Sequence, residues 1–180
     1  YLYIPKHKEV EKPVEIINFY TGVETDLMLQ PRNLIVVEEN AHVQIIERHQ
    51  SLSSNAVLTN SVTEIFVGAR AHVDYYKIQN DQKEASLIDN TYIKQERNSI
   101  ASVHTFSVGG KLTRNNFNFY QHGEQASAVI NGINLIEDTQ HGDHNTLVHH
   151  IAPNCTSHQD YKRVFDDHAV GVVNGKIYVE

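Results

Sequence analysis

The sequence predicts an all-β fold, in which short strands stack as the coils of a parallel β-helix. Three observations lead to this prediction. The apolar residues are rich in Val and Ile, which favour strands. Polar and apolar residues alternate at short period. A strand-turn-strand unit also recurs 30 residues further along the chain.

Alternation of polar and apolar side chains indicates strands with one buried and one solvated face. It is clearest in four segments, at 33–37, 42–48, 63–67 and 116–119. No segment sustains the i, i+3, i+4, i+7 apolar stripe of an amphipathic helix over four turns. The prolines at positions 5, 13, 31 and 153 fall between these runs, where a missing N–H does no harm. We therefore expect almost no helix.

The repeat narrows the architecture. Residues 40–46 reappear as 70–76, and residues 34–37 align with 64–67 at the same offset of 30. Residues 128–136 resemble residues 171–179 at an offset of 43. Irregular spacing of similar units is typical of stacked coils that carry loops of different length. We expect the side chains of the repeated strands to fill the core, with four pointing inward: Val43, Ile45, Val73 and Tyr75.

The pattern alone leaves a second architecture open. In an antiparallel β-sandwich or barrel, Asn131-Gly132 and Asn174-Gly175 would be two-residue hairpin turns. Asn near strand ends also suits the corners of a β-helix, since Asn tolerates the left-handed backbone conformation. The residue pattern does not decide between these two.

Composition excludes several classes of function. The 180 residues carry a net charge of −7, which repels nucleic acid. Cys155 is the single cysteine, so an internal disulfide is excluded and a cytosolic location is expected. No apolar run is long enough to span a membrane and no signal peptide is evident. We expect residues 1–180 to form one domain, a piece of a longer chain.

One long motif resembles a known family. Residues 142–159 read GDHNTLVHHIAPNCTSHQ, and residues 171–179 read GVVNGKIYV. Together with shorter matches at 39–43, 69–73 and 109–115, they resemble the core of the SufB and SufD family of iron–sulfur cluster assembly proteins.

The resemblance implies a right-handed parallel β-helix in a cytosolic complex with SufB and the ATPase SufC. It implies a non-enzymatic subunit that helps to build clusters or to acquire their iron, with any iron or iron–sulfur cluster held by the full complex rather than by this piece. The lack of a cysteine motif favours a SufD-type member. The family's Cys-x-His-Gly segment and C-terminal helical tail would lie beyond residue 180, as would a preceding N-terminal region before residue 1.

Two other functions remain open on the residues alone. A metal-dependent, cupin-like β-barrel enzyme is compatible with 12 histidines, although no His-x-His pair with a nearby Glu and a third His is present. A carbohydrate-active β-helix would need acidic and basic residues clustered on one outward strand. Because no complete catalytic constellation is visible, we assign no catalytic residue and expect no enzymatic activity.

The strongest local candidate for a metal site is a group of six imidazole and thiol side chains: His141, His144, His149, His150, Cys155 and His158. Zinc, copper and ferrous iron accept these ligands. At most three or four of them can converge, and the best candidates are His144, His149, Cys155 and His158. The alternative is that the histidines are surface or ladder residues and that Cys155 is a small core residue.

The last strand pattern predicts an interaction edge. A strand at the end of a coil stack presents unpaired backbone groups to a partner. We predict an interface at Gly171, Val173, Ile177 and Val179. Its occupant would be SufB or, in the isolated chain, a second copy in a two-fold dimer.

Overall fold

The computed structural model describes residues 1–20, 26–51 and 55–180. Within these ranges the chain forms fourteen β-strands and no helix. In chain order they are β1 (Leu2–Ile4), β2 (Val14–Tyr20), β3 (Leu27–Leu29), β4 (Arg32–Val37), β5 (His42–Ser51), β6 (Val57–Val67), β7 (His72–Gln79), β8 (Ala85–Gln95), β9 (Ile100–Val108), β10 (Leu112–Gln121), β11 (Ser127–Ile136), β12 (His141–His150), β13 (Thr156–Phe165) and β14 (Val170–Val179).

The strands form two sheets. One sheet has the order β1-β4-β6-β8-β10-β12-β14, with β3 also paired to β6, and the other has the order β13-β11-β9-β7-β5-β2. Every strand pair in the described part of the chain is parallel. Apart from β3 and β4, which both lie in the first sheet, successive strands alternate between the sheets, so the chain winds as a coil. The predicted parallel β-helix is confirmed.

The 30-residue repeat is one turn of this coil. His42 lies opposite His72, and Leu34 lies opposite Glu64. The coil length varies with the connecting loops, from 26 residues where Ser86 faces Leu112 to 33 where Leu2 faces Ile35.

The hairpin alternative is wrong. Asn131 and Gly132 lie in the middle of β11, and Asn174 and Gly175 in the middle of β14. These two strands belong to different sheets. The offset of 43 residues therefore corresponds to about one and a half coils. It relates two strands of similar sequence that lie in different sheets and do not pair with each other.

One corner of the coil explains the asparagines near strand ends. Asn40, Asn98 and Asn154 each have a positive φ, of 55°, 56° and 61°, just before β5, β9 and β13. Arg70 and Gln125 adopt the same conformation at the equivalent position before β7 and β11. The Asn40 amide donates to the Ala69 carbonyl at 3.0 Å, and the Arg70 amide to the Arg97 carbonyl at 2.9 Å. The corners thus form a hydrogen-bonded ladder along the β-helix.

The core is the interior of the coil. Val43, Ile45, Val73 and Tyr75 are at most 1% exposed, which confirms the predicted inward face. Alternate residues of the same strands point outward and are partly exposed. In the described residues, no helix could cross a membrane.

Candidate functional site

Charged residues occupy interior positions of the coil. Glu47 on β5, Lys77 on β7 and Asp89 on β8 follow the inward alternation of their strands, and all three are 0% exposed. Glu47 and Lys77 are direct register partners in neighbouring coils. Asp89 reaches Lys77 from the opposite sheet.

Lys77 bridges the two carboxylates. Its Nζ lies 2.6 Å from Asp89 Oδ2 and 3.2 Å from Glu47 Oε2. The Ser61 hydroxyl donates to Asp89 Oδ1 at 2.5 Å, and the Thr91 hydroxyl donates to Asp89 Oδ2 at 3.1 Å. Both oxygens of the Asp89 carboxylate are therefore satisfied.

Glu47 is surrounded by donors. The Tyr75 hydroxyl donates to Glu47 Oε2. The side-chain amides of Asn18 and Asn33 donate to Glu47 Oε1 at 3.2 and 3.1 Å. His49 Nε2 lies 3.3 Å from the same oxygen. A buried ionised carboxylate is tolerable only with this kind of compensation.

The electrostatics follow from these contacts. Burial favours the neutral form of Glu47, but Lys77 and His49 outweigh it and hold the pKa of Glu47 well below its usual range. Burial likewise opposes the charge on Lys77, but Asp89 and Glu47 outweigh it and raise the pKa of Lys77. Burial and the Glu47 charge raise the pKa of the Tyr75 hydroxyl, so it remains a donor. The arrangement is a fixed ionic cluster that ties the two sheets together.

A second polar group occupies the interior further along the coil. Gln79 Nε2 donates to Asn115 Oδ1 at 2.7 Å, and Asn115 Nδ2 donates back to Gln79 Oε1 at 3.0 Å. The Ser107 hydroxyl donates to the same Gln79 oxygen at 2.6 Å. Asn115 Nδ2 also lies 3.5 Å from His144 Nδ1.

His144 is therefore an interior residue, 1% exposed. Burial, helped by the charge of Arg163, lowers the pKa of His144 to about 4. The imidazole is neutral at neutral pH, and its ring packs against Tyr161 with 5.4 Å between the ring centroids.

The other predicted metal ligands are separated from His144. His149 lies on the outer face of β12, with Nε2 2.9 Å from Glu180 Oε1, and His158 is exposed on β13. Cys155 lies at the corner before β13, with Sγ 3.4 Å from the Gly123 carbonyl. His150 Nε2 contacts the Ser157 hydroxyl at 3.1 Å, and His141 begins β12.

The structure distributes these six side chains between interior, exterior and corner. In residues 1–20, 26–51 and 55–180, three ligands with donor atoms all within 4.8 Å of one another occur at His42, His72 and Asp74. The metal site predicted between positions 141 and 158 stays a prediction.

The predicted interface residues share one backbone orientation. The amides of Val170 and Glu180, at the two ends of β14, donate to carbonyls of the β12 side, Gln140 at 2.9 Å and His150 at 3.1 Å. Because N–H and C=O directions alternate along a parallel strand, even-numbered residues of β14 bond to β12 and odd-numbered residues point to the other edge. Gly171, Val173, Ile177 and Val179 are all odd-numbered.

These residues are also accessible. Val173 is 36%, Ile177 53% and Val179 73% exposed. Ile177 lies opposite Val148, which is fully buried, so its side chain continues an interior row of the coil. The edge of β14 thus offers both backbone groups and apolar side chains.

Sequence reasoning missed the interior ionic cluster and the His42, His72 and Asp74 group. The signal for the cluster was present, since Glu47 and Lys77 occupy inward positions 30 residues apart. His42 and His72 lie within the repeated unit itself, but a sequence repeat indicates stacked strands and does not by itself indicate shared ligands.

Comparison with known proteins identifies the family. Residues 19–180 match the family model described as SUF system FeS cluster assembly, SufBD core domain. An iron–sulfur cluster assembly SufBD family protein of Synechocystis is 29% identical over 99% of this chain and 41% of its own length. SufD of Escherichia coli is 25% identical over 93% of this chain and 40% of its own length.

SufB of Bacillus subtilis is 30% identical over 87% of this chain and 34% of its own length. The chain therefore spans about two fifths or less of the length of these relatives. Because the family model covers most of the residues that form the coil, the chain belongs to the SufBD core-domain family of the SUF iron–sulfur cluster assembly system.

Proposed function

We propose that this chain is the β-helix core of a non-enzymatic subunit of the SUF machinery for iron–sulfur cluster assembly. The proposal rests on the family and on relatives whose names describe cluster assembly proteins. Iron and the nascent cluster are the cargo of the whole complex, and the chain contributes a stiff framework. The observation that carries a scaffold role is the accessible edge of β14.

The edge suits a partner that adds a strand. Backbone groups of the odd-numbered residues supply affinity in this binding mode, and the alternate side chains supply register. Exposed Val173, Ile177 and Val179 would be covered by the partner strand. The partner that we propose is a SufB homologue, with SufC as the ATPase of the same complex and the cytoplasm as the location.

A SufD-type role is the finer proposal. Both SufD and SufB proteins are among the relatives. The single cysteine, Cys155, continues a row of small corner residues formed by Ala41, Ala71, Ser99 and Ala126. That position supports a packing role for Cys155. A packing role favours a SufD-type member, which we propose has no cysteine-based cluster scaffold in this domain.

The cupin-like alternative loses its basis. A cupin is an antiparallel barrel, whereas the described strands pair only in parallel and wind as a coil of two sheets.

The test is Ile177→Pro in the full-length protein. The Ile177 amide points away from β12, so proline removes an edge donor without removing a bond to β12. We expect at least about a tenfold weaker affinity for the SufB homologue, since one bond and the close approach of the partner strand are lost together. Pull-down and light scattering measure the complex.

Ile177→Val is the matched control because it keeps the amide and the β-branched side chain. It should bind SufB as the parent does. Thermal unfolding of both variants should match that of the parent. If Ile177→Pro folds and still binds SufB with parental affinity, the partner uses another face of the β-helix and the edge-pairing proposal is wrong.

A further inference from the structure

We propose that His42, His72 and Asp74 bind one divalent transition-metal ion on the outer face of the six-stranded sheet. His42 begins β5, and His72 begins β7 directly opposite it. Asp74 lies two residues further along β7, so its side chain shares the outward face with His72. The site is therefore built on the strands of two adjacent coils.

The donor atoms of the three side chains all lie within 4.8 Å of one another. The two imidazole rings stack with 4.5 Å between centroids and 6° between planes. Asp74 Oδ1 lies 3.1 Å from His72 Nε2, and Asp74 Oδ2 lies 3.6 Å from His42 Nε2. In a tetrahedral site with metal–ligand bonds of about 2.1 Å, neighbouring donors are about 3.4 Å apart. The two His–Asp separations lie on either side of that value.

The local charge favours a cation. The Asp74 side chain is 15% exposed, and in the described part of the chain the basic groups within 4.0 Å of it are the two imidazoles. His42 Nε2 is buried without a hydrogen-bond partner, since 3.6 Å is too long for a bond to the carboxylate. The mostly buried Asp74 carboxylate and the unpartnered His42 Nε2 would both gain a partner if a metal ion bound between them.

The donor set defines the class of ion. Two imidazoles and one carboxylate suit Zn²⁺, Fe²⁺ and Co²⁺, whereas Mg²⁺ and Ca²⁺ prefer oxygen ligands alone. Three protein donors leave at least one coordination position for water or for a further ligand. The outer face of the sheet gives that position access to solvent, as His42 and His72 are 40% and 37% exposed in their side chains.

The experiment titrates metal into the full-length protein after chelator treatment. Co²⁺ absorption reports the donor set, and calorimetry with Zn²⁺ gives the stoichiometry. We expect one ion per chain at this site. The affinity for the ion should fall at least about tenfold in His72→Ala and in Asp74→Asn, because mutation of a residue that merely supports a metal ligand already costs about that much. Asp74→Asn keeps the size of the side chain, and circular dichroism verifies folding.

Two histidines are matched controls. His104 lies on the outer face of β9 and stacks on Tyr76 at 4.9 Å, and His149 belongs to the C-terminal histidine group. His104→Ala and His149→Ala should retain binding at the β5–β7 site. Absence of stoichiometric binding, or unchanged affinity in Asp74→Asn, would overturn the proposal. Loss of the ion in His149→Ala instead would assign it to the C-terminal group. Because the titration needs no partner protein, its result is independent of the edge-pairing test.

Discussion

Polar side chains occupy inward positions of the strands both in the middle of the coil and toward its C-terminal end, but their partners differ. In the middle, Glu47, Lys77 and Asp89 are fully buried, and each one has charged and hydrogen-bonding partners. Beside this cluster, His49 Nε2 is buried without a hydrogen bond, and toward the C-terminal end of the described residues more interior polar atoms lack a partner. His144 Nε2 and the Tyr161 hydroxyl are buried without a hydrogen bond, as are both amide atoms of Asn134.

The difference shows what a β-helix interior requires. A buried charge is stable where two sheets supply counter-charges and donors together, as around Lys77. A buried polar atom without a partner costs about 1–3 kcal/mol, and the described C-terminal coils hold more such atoms than the ionic cluster does.

Removing the central cation is the largest expected effect. Lys77→Met leaves Glu47 and Asp89 buried and 0% exposed without their shared counter-charge. We expect the free energy of unfolding to fall by about 3–5 kcal/mol, the usual cost of breaking a buried ion pair. Urea denaturation of the full-length protein at neutral pH measures it.

Lys94→Met is the matched control. Lys94 is 44% exposed in its side chain, and its Nζ lies 3.6 Å from Glu96 Oε1. A surface pair of this kind contributes at most about 1 kcal/mol. If Lys77→Met costs no more than the Lys94→Met control, the interior cluster does not stabilise the middle of the coil.

The next effect is a pH dependence at the C-terminal end. The pKa of His144 is about 4 in the folded chain against 6.5 for an ordinary histidine, because burial disfavours the imidazolium and Arg163 repels it. Between these two pH values His144 is protonated in the unfolded chain but neutral in the folded chain. The contribution of neutral His144 to the free energy of unfolding is therefore fully present above pH 6.5 and is lost as the pH falls toward 4. The expected loss is about 3 kcal/mol.

His144→Gln tests this assignment because glutamine does not titrate in that range. Denaturation between pH 7 and pH 4 should show a smaller slope in the variant than in the parent. Asp143 and Arg163, the charged groups that act on His144, remain in both proteins and cancel in the comparison. Parallel slopes would mean that other groups govern the acid loss.

The coil itself was predictable because its signals are local. Alternation marks the inward face, and the 30-residue repeat gives the register of β5 with β7 directly. The buried residues Val43 and Tyr75 follow from these two rules alone. An offset of one and a half coils was harder to interpret, because it relates strands that do not touch.

The sites were less predictable because they depend on contacts across the coil. Asp89 meets Lys77 from the opposite sheet, and no spacing along one strand shows that approach. Histidines that are close in sequence, such as His144 and His149, lie on different faces of one strand. By contrast, His42 and His72 are distant in sequence and stack. In a coil, proximity follows the turn length rather than the local spacing.

The smallest expected effect compares two Asn-Gly pairs that looked alike in the sequence. A Cβ added at Gly132 would overlap the Tyr161 ring and lie 2.8 Å from Thr105 Oγ1. A Cβ added at Gly175 would lie 3.3 Å from Gln159 Oε1 and 3.4 Å from Thr146 Oγ1, on the exposed strand β14.

We expect Gly132→Ala to lower the free energy of unfolding by about 1–3 kcal/mol through overpacking, and Gly175→Ala to change it by less than about 0.5 kcal/mol. A double-mutant cycle with Tyr161→Ala should recover much of the Gly132→Ala loss, because the ring is the obstacle. Equal losses at the two glycines would show that the end of the coil is packed as tightly as its interior.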